Sequence, residues 1–336
     1  MDTHETQGAG RRETARPLDV TVLMGGPSAE RDISLISGEA IAAALERCGH
    51  KVTRSDIMPN DLSALDRQGA DVVFIALHGD FGESGEVQQL CEGRGLRYTG
   101  SGPYSSRAAM DKAAAKQLLK RAGLATPDWM IIEEFHSPER VAQWLAELPP
   151  PLVLKPVNGG SSVDVIIARD EATRDAAIEM LLDRYGRVML EQYVPGRELT
   201  VGILGDEALP VLEIVPDGDF YDKYAKYDDG AATRYVFDHD LSDEVCDRVR
   251  GAALTCHRIL KCRDMSRVDF ILDADNVPQI LETNTIPGFT PHSLLPMAAA
   301  KVGIGFEELV DRIVQMAADR SPLACNETCC EDVKKA

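Results

Sequence analysis

The stretch LETNTIPGFTPHS, Leu281 to Ser293, sets a carboxylate and an amide two residues apart at the end of an apolar run. Strand residues two apart share a face, so Glu282 and Asn284 point the same way. The preceding SRVDFILDADNVPQ completes a hairpin around a polar turn at Asp273 to Asn276. With that turn centred on Ala274, Asp275 and Asn276, Asp269 falls nearly opposite Glu282. Two carboxylates and an amide oxygen then converge, with Arg267 on the face of Asp269. A few hard oxygen ligands, with the rest left to water and phosphate, suit Mg²⁺. Exposed acids on a surface hairpin are the plain alternative, and Phe270, Ile280 and Leu281 beside them count against it. Gly288 and Ser293 follow at once, in a turn that either handles an anion or simply caps a helix.

Three further places combine unusual residues. In VLKPVNGGSSVD, Lys155 ends an apolar strand, where a solvated lysine is not expected. Gly159, Gly160, Ser161 and Ser162 form a small loop whose backbone N–H groups could close on phosphate oxygens. No lysine follows those glycines, so this is not a Walker A loop, and an ordinary hairpin turn reads equally well. Lys112 occupies the first turn of a helix, where the macrodipole disfavours cations. It either reaches an anion or pairs with Asp111. Glu30 follows Gly25 and Gly26 and precedes a helix; it either holds an ammonium group or is an acid favoured by the dipole.

The elements that position these residues form an α/β chain. LDVTVLMGG reads as a buried strand, ISLISGEAIAAALERCGH as a helix, HKVTRSDI as a short strand and DVVFIAL as a strong buried strand. In the first helix, Ile36, Ala40, Ala43, Ala44 and Arg47 are spaced for one side. Strand, helix, strand predicts a parallel sheet with ligands beyond the carboxyl ends of its strands, at Gly25-Gly26 and His78-Gly79. DKAAAKQLLKRAGL and SPERVAQWLAEL read as helices, and PLVLKPVNGGSSVDVIIAR as strand, loop and strand without room for a helix. RVMLEQYV, RELTVGILGD and EALPVLEIV continue as strands. SDEVCDRVRGAALTCHRIL is a helix with its stripe on Val245, Val249, Ala252, Ala253, Cys256, Ile259 and Leu260, and FEELVDRIVQMAA is the last helix.

Composition bounds the function. The 336 residues suffice for two or three modules, and the formal net charge of −19 argues against a nucleic-acid partner. No apolar run approaches a membrane span. Residues 1–17 are polar and lack a signal-peptide core, which predicts a loose tail and a cytoplasmic protein whose cysteines are reduced. Cys325, Cys329 and Cys330 match no zinc spacing and fall in a second polar tail, 320–336.

The segments LMGGPSAERDISLISG, ALHGDFGESG, YTGSGPYSSRAAMDK, LKPVNGGSSV, FYDKYAKY, RVDFIL and LETNTIPGFTPHSLLP stand in the order seen in D-alanine–D-alanine ligases. The resemblance runs from about Val20 to Ala317, and it identifies the chain as similar to that family within the ATP-grasp superfamily. It implies an N-terminal α/β domain at 18–108, a small central ATP-grasp subdomain at 109–197 and a C-terminal one at 198–319, with ATP between the last two. It implies ATP-dependent joining of two D-alanines through a D-alanyl phosphate, for peptidoglycan precursors. By matched position, Glu30 resembles the contact to the first D-alanine's ammonium and His78 the one near its carboxylate. Glu30, Ser161 and Tyr227 resemble a hydrogen-bonded lid triad. Lys112, Lys155 and Lys226, with Ser162, resemble phosphate contacts; Glu191 and Glu198 resemble adenine and ribose contacts. Asp269, Glu282 and Asn284 resemble the ligands of two Mg²⁺ ions, with Mn²⁺ as a substitute. Arg267 and the Gly288 N–H resemble an oxyanion hole, and Ser293 with Leu294 the contacts to the second D-alanine. A homodimer is what the family implies.

Asp164 and Ser84 depart from the family pattern, which has glycine and an acid there. If residue 164 needs a positive φ, Asp tolerates it better than most; if the glycine serves close approach to phosphate, Asp adds charge. A D-alanine–D-lactate ligase and a nucleotide-binding regulator without turnover are the rival readings. FYDKYAKY counts against the first, and Asp164 is what favours the second.

Overall fold

The computed structural model describes residues 16–160, 163–216 and 233–321. Three sheets organise them. The first is parallel, in the order β2-β1-β3, from β1 (Asp19–Gly25), β2 (Lys51–Ile57) and β3 (Val72–Ile75). Helix α1 (Arg31–Arg47) connects β1 to β2, as the sequence pattern predicts. Its buried face differs from the expected one. Ser34, Ser37, Gly38, Ile41, Ala42, Ala44 and Leu45 face inward, while Ile36 is 57% exposed. Close approach shapes this face: a Cβ on Gly38 would lie 2.5 Å from Met24 Cβ, so the helix docks on β1 with glycine at that position. Ser34 Oγ then donates to the Ala76 carbonyl at 2.7 Å.

Short helices α2 (Asp80–Glu83), α3 (Glu86–Gly93) and α4 (Pro103–Met110) lead to α5 (Lys112–Arg121). Asp111 caps α5 by accepting from the Ala114 N–H at 2.9 Å. The second sheet has the order β4-β7-β5-β6 and is antiparallel throughout. It comprises β4 (Trp129–Glu133), β5 (Leu152–Pro156), β6 (Ile166–Ala168) and β7 (Arg187–Gln192), with α6 (Pro138–Glu147) and α7 (Glu171–Tyr185) between strands. The β5–β6 pairing is the hairpin expected around the glycine-rich loop.

The third sheet runs β11-β10-β8-β12-β13, with β9 also paired to β8. Its strands are β8 (Arg197–Leu204), β9 (Glu207–Ala208), β10 (Leu212–Val215), β11 (Arg234–Val236), β12 (Met265–Leu272) and β13 (Pro278–Asn284). Helix α8 (Asp243–Ile259) packs on it through Val245, Val249, Ala253 and Cys256. Leu260 just beyond joins the same core, and Ala252 and Ile259 pack against it partly buried, so all seven predicted stripe residues lie on the packed face. Helices α9 (Leu294–Lys301) and α10 (Phe306–Asp319) complete the chain. Leu309, Val310, Ile313 and Val314 of α10 share one core with Val20, Val22 and Phe74 of the parallel sheet.

Register in the β12–β13 hairpin matters most. Leu272 pairs with Pro278 and Phe270 with Ile280, but Asp269 pairs with Glu282. Leu281 is therefore the extra residue of a bulge. Without it, Asp269 would oppose Leu281. The bulge sets the two carboxylates directly opposite, a common use of such irregularities near sites.

Candidate active site

A cavity of about 770 Å³ opens between the two antiparallel sheets and the loops after β1 and β3. Val153, Val165, Ile167, Val194, Ile271 and Leu281 give it an apolar region, a slot suited to a flat ring. Lys112, Lys155, Glu191, Glu198, Arg267, Asp269, Glu282, Glu30 and Leu294 also line it. These are residues that the sequence separates by up to 264 positions, from Glu30 to Leu294.

Lys155 is 7% exposed at the end of β5, and its ammonium lies 2.7 Å from Glu191 Oε1 on neighbouring β7. In the antiparallel pairing of β5 with β7, Glu191 is opposite Val153 and Lys155 opposite Met189, so the two are diagonal neighbours on one face. Lys116, one turn beyond Lys112, holds the other carboxylate oxygen at 2.5 Å. Burial pushes the Glu191 pKa up, and the two ammonium groups outweigh it, so the carboxyl stays below its ordinary range. Burial drives Lys116 down to about 8 against the attraction of Glu191. Lys112 is 8% exposed, and burial lowers its pKa although Glu282 opposes the shift. Its Nζ donates to the Gly159 carbonyl and lies 3.6 Å from Glu282 Oε2. Lys112 therefore reaches into the site, and Asp111 is committed to its cap.

Asp269 is tightly held. It accepts from Arg267 Nε at 2.9 Å and Nη2 at 2.8 Å, from Thr200 Oγ1 at 2.6 Å and from Asn284 Nδ2 at 3.0 Å. Asn284 thereby commits its N–H to Asp269 and keeps its carbonyl as an acceptor. Among the described residues no three His, Cys, Asp or Glu side chains cluster as a metal group. The oxygen set is two carboxylates and an amide, which is what a hard cation completed by phosphate and water requires.

At the far end, Glu30 occupies the N-cap position of α1 and faces the loop at Gly79. Gly79 has φ +80°, and a Cβ there would meet Ser28 Cβ at 2.6 Å, so glycine lets the two loops touch. His78 is 6% exposed, with Nε2 3.3 Å from Ser37 Oγ and Nδ1 3.6 Å from Glu83 Oε1. Burial raises the Glu83 pKa, opposed by His78. Ser293 stands at the N-cap position of α9, and its hydroxyl accepts from the Thr290 N–H at 3.0 Å rather than from a helix N–H. A Cβ on Gly288 would lie 3.1 Å from Ser293 Oγ, so these two are neighbours. His78, Asn284, Gly288 and Ser293 adjoin the cavity wall without forming its lining. Ser161, Ser162, Lys226 and Tyr227 lie outside the described residues, as does the tail with Cys325, Cys329 and Cys330.

Asp164 has φ +55°, a left-handed conformation that Asp tolerates better than most residues. Its carboxylate pairs with Arg184 at 2.5 Å and accepts from the Tyr185 hydroxyl, so its charge is offset on α7. Ser84 ends α2, its N–H bonded to the Asp80 carbonyl at 2.8 Å. Sequence reasoning missed Lys116, Thr200 and Glu83. For Lys116 a signal existed: it is spaced i, i+4 from Lys112 and so shares its helix face.

The family model described as D-ala D-ala ligase C-terminus matches residues 118–315. A D-alanine–D-alanine ligase of Synechococcus sp. is 43% identical over 310 residues, covering 91% of this chain and 95% of the relative. The Gloeobacter violaceus enzyme of the same name is 42% identical, over 90% of this chain and 100% of its own. The crystal structure of the Bacillus anthracis D-alanine–D-alanine ligase complexed with ATP superposes with a TM-score of 0.79 at 32% identity, over 89% of this chain and 97% of that one. The motif order, the bulged hairpin and the cavity between two antiparallel sheets thus have a common origin: this chain belongs to the D-alanine–D-alanine ligase family.

Proposed function

We infer that the chain joins two D-alanines at the expense of ATP on an ATP-grasp scaffold, with the residues described above in the following roles. The observation that carries this reading is the single cavity in which buried lysines, the Asp269–Glu282 pair and the Glu30–Gly79 loop contact meet. Glu191 and Glu198 face the nucleoside, and the apolar slot takes the base. Lys112 and Lys155 neutralise phosphate charge, with Ser162 and Lys226 assigned to the same task by resemblance. Asp269, Glu282 and Asn284 would hold Mg²⁺, which when bound offsets triphosphate charge as phosphoryl transfer proceeds.

Glu30 takes the ammonium of the first D-alanine, and His78, steadied by Ser37 and Glu83, stands near its carboxylate. A carboxylate oxygen attacks the γ-phosphorus, ADP leaves and a D-alanyl phosphate results. Ser293 and Leu294 hold the acceptor's carboxylate. The acceptor's amine attacks the acyl carbon, Arg267 and the Gly288 N–H receive the developing oxyanion, and phosphate departs. By resemblance, Ser161 and Tyr227 are assigned with Glu30 to closing the site, so that the acyl phosphate meets an amine rather than water. The division into an N-terminal domain and two ATP-grasp subdomains, a homodimeric state and a cytoplasmic location are part of the same reading. No helix among the described residues is long and apolar enough to cross a membrane.

A coupled ADP-release assay with D-alanine, followed by product separation, tests the reading. Stoichiometric ADP and D-alanyl-D-alanine are expected. Nucleotide binding without turnover would favour the regulator, and a predominant ester in mixtures with D-lactate would favour the depsipeptide ligase.

A further inference from the structure

Lys116 is 1% exposed on α5 and has no part in the roles just assigned. Its ammonium touches Glu191 Oε2 at 2.5 Å, donates to Thr126 Oγ1 at 2.5 Å and reaches the Pro127 carbonyl at 3.5 Å. The Thr126 hydroxyl donates in turn to the Ile280 carbonyl at 2.7 Å. Ile280 also donates its N–H to the Ala125 carbonyl at 2.9 Å, so this loop is fastened to β13 twice. The other oxygen of Glu191 receives Lys155 at 2.7 Å.

A lysine this deep is costly unless fully partnered, and a buried ion pair replaced whole by apolar residues of similar volume often loses no stability. Stability alone therefore gives little reason for a second cation behind one carboxylate. Its geometric effect is clear. Two ammonium groups from different elements, α5 and β5, grip opposite oxygens of Glu191 and fix the carboxylate's plane. An ionised carboxylate only accepts hydrogen bonds. Fixed against the cavity wall, it favours a ring that presents an amino group and rejects one that presents a carbonyl in the same place.

We propose that Lys116 is a positioning residue for base selection: it locks Glu191 as an acceptor at the base end of the cavity. Through Thr126 and Ile280 it also ties that acceptor to the strand carrying Glu282, two residues further on. The proposal rests on the reading of Glu191 as a contact to the nucleotide base.

The test compares the parent with Glu191→Gln, Lys116→Met and Thr126→Val. KM and kcat are measured for ATP and for GTP, together with KM for D-alanine and the melting temperature. Lys116→Met should raise KM for ATP roughly tenfold or more, the loss expected for a misplaced hydrogen bond to a charged acceptor. Its kcat at saturating ATP and its KM for D-alanine should change little, and the preference for ATP over GTP should fall by a similar factor. Thr126→Val should move the same quantities less. A lower melting temperature with an undiminished ATP-over-GTP preference would make Lys116 merely structural and overturn the proposal. Should Lys116→Met fail to fold, Thr126→Val decides by the same criterion. If Glu191→Gln weakens the preference and the Lys116 and Thr126 variants do not, this proposal alone fails. If Glu191→Gln leaves it intact, the base-contact reading fails and the proposal with it.

Discussion

Glu282→Gln should abolish most turnover while leaving the fold nearly untouched, and its opposite acid should not behave this way. Both acids face the same point in the hairpin, yet their surroundings differ. Asp269 is 8% exposed and accepts four hydrogen bonds, two of them from Arg267. An amide there turns an N–H₂ group toward donors on Arg267 or Asn284. Breaking a buried charge pair costs on the order of 3 kcal/mol. Asp269→Asn should therefore lower the melting temperature by roughly 5 °C or more, and its lost activity would mix two causes. The Glu282 side chain is 22% exposed, and its ion-pair contact is Lys112 at 3.6 Å. Lys112 keeps the Gly159 carbonyl, so Glu282→Gln should cost no more than about 1 kcal/mol. Turnover should fall by at least the ~10–100-fold that loss of an outer partner of a metal ligand brings, and excess Mg²⁺ should recover part of it. Steady-state kinetics across Mg²⁺ concentrations, paired with thermal melts, separate these effects. Unchanged turnover at limiting Mg²⁺, or a melting loss equal to that of Asp269→Asn, would refute the argument.

The C-terminal tail should be dispensable, but only beyond Arg320. Its guanidinium binds the Asp264 carboxylate and the Tyr98 carbonyl, and its own carbonyl accepts from Arg97 Nε at 2.9 Å. A chain ending at Ser321 should keep its melting temperature and activity, whereas one ending at Asp319 should melt earlier; equal melting of the two would contradict this. His257 is 3% exposed with Nδ1 2.7 Å from Ser266 Oγ, and burial depresses its pKa to about 4. Between pH 6.5 and 4 the unfolded chain binds the extra proton, so stability should fall with acidification through that window by roughly 2–3 kcal/mol. Denaturant melts of the parent and His257→Gln should show a shallower slope in the variant, and parallel slopes would remove His257 as the cause. Tyr227→Phe should retain some dipeptide synthesis while gaining D-lactate use, most visibly at low pH, where the acceptor amine is protonated. A product ratio equal to the parent's at every pH would leave Tyr227 without a role in acceptor choice.

Much of the site was legible because strand alternation and turn chemistry are local. The hairpin, its Asp273–Asn276 turn and the near-opposition of the two acids follow from period two and a polar tetrapeptide. The bulge at Leu281 does not, because bulges answer to the neighbouring strand. The buried face of α1 was misread for a similar reason. Apolar spacing favoured Ile36, but the face that docks is the one that sets Gly38 against Met24, where a Cβ would not fit. Lys116 carried only the weak signal of its i, i+4 spacing from Lys112, because lysines on a helix are ordinarily solvated. Its partners, Glu191 and Thr126, come together only when β7 and the loop before β4 are folded. Asp164 was readable in one respect, its tolerance of positive φ. Its ties to Arg184 and Tyr185 depend on the placement of α7.

The central claim is that a carboxylate of one D-alanine is activated as an acyl phosphate before the second amine attacks. D-alanine labelled with ¹⁸O in both carboxylate oxygens tests it directly. The attacking oxygen stays with phosphorus when the carbonyl–oxygen bond breaks, so the released phosphate should carry one ¹⁸O per dipeptide formed. Unlabelled phosphate accompanying labelled dipeptide would contradict the account.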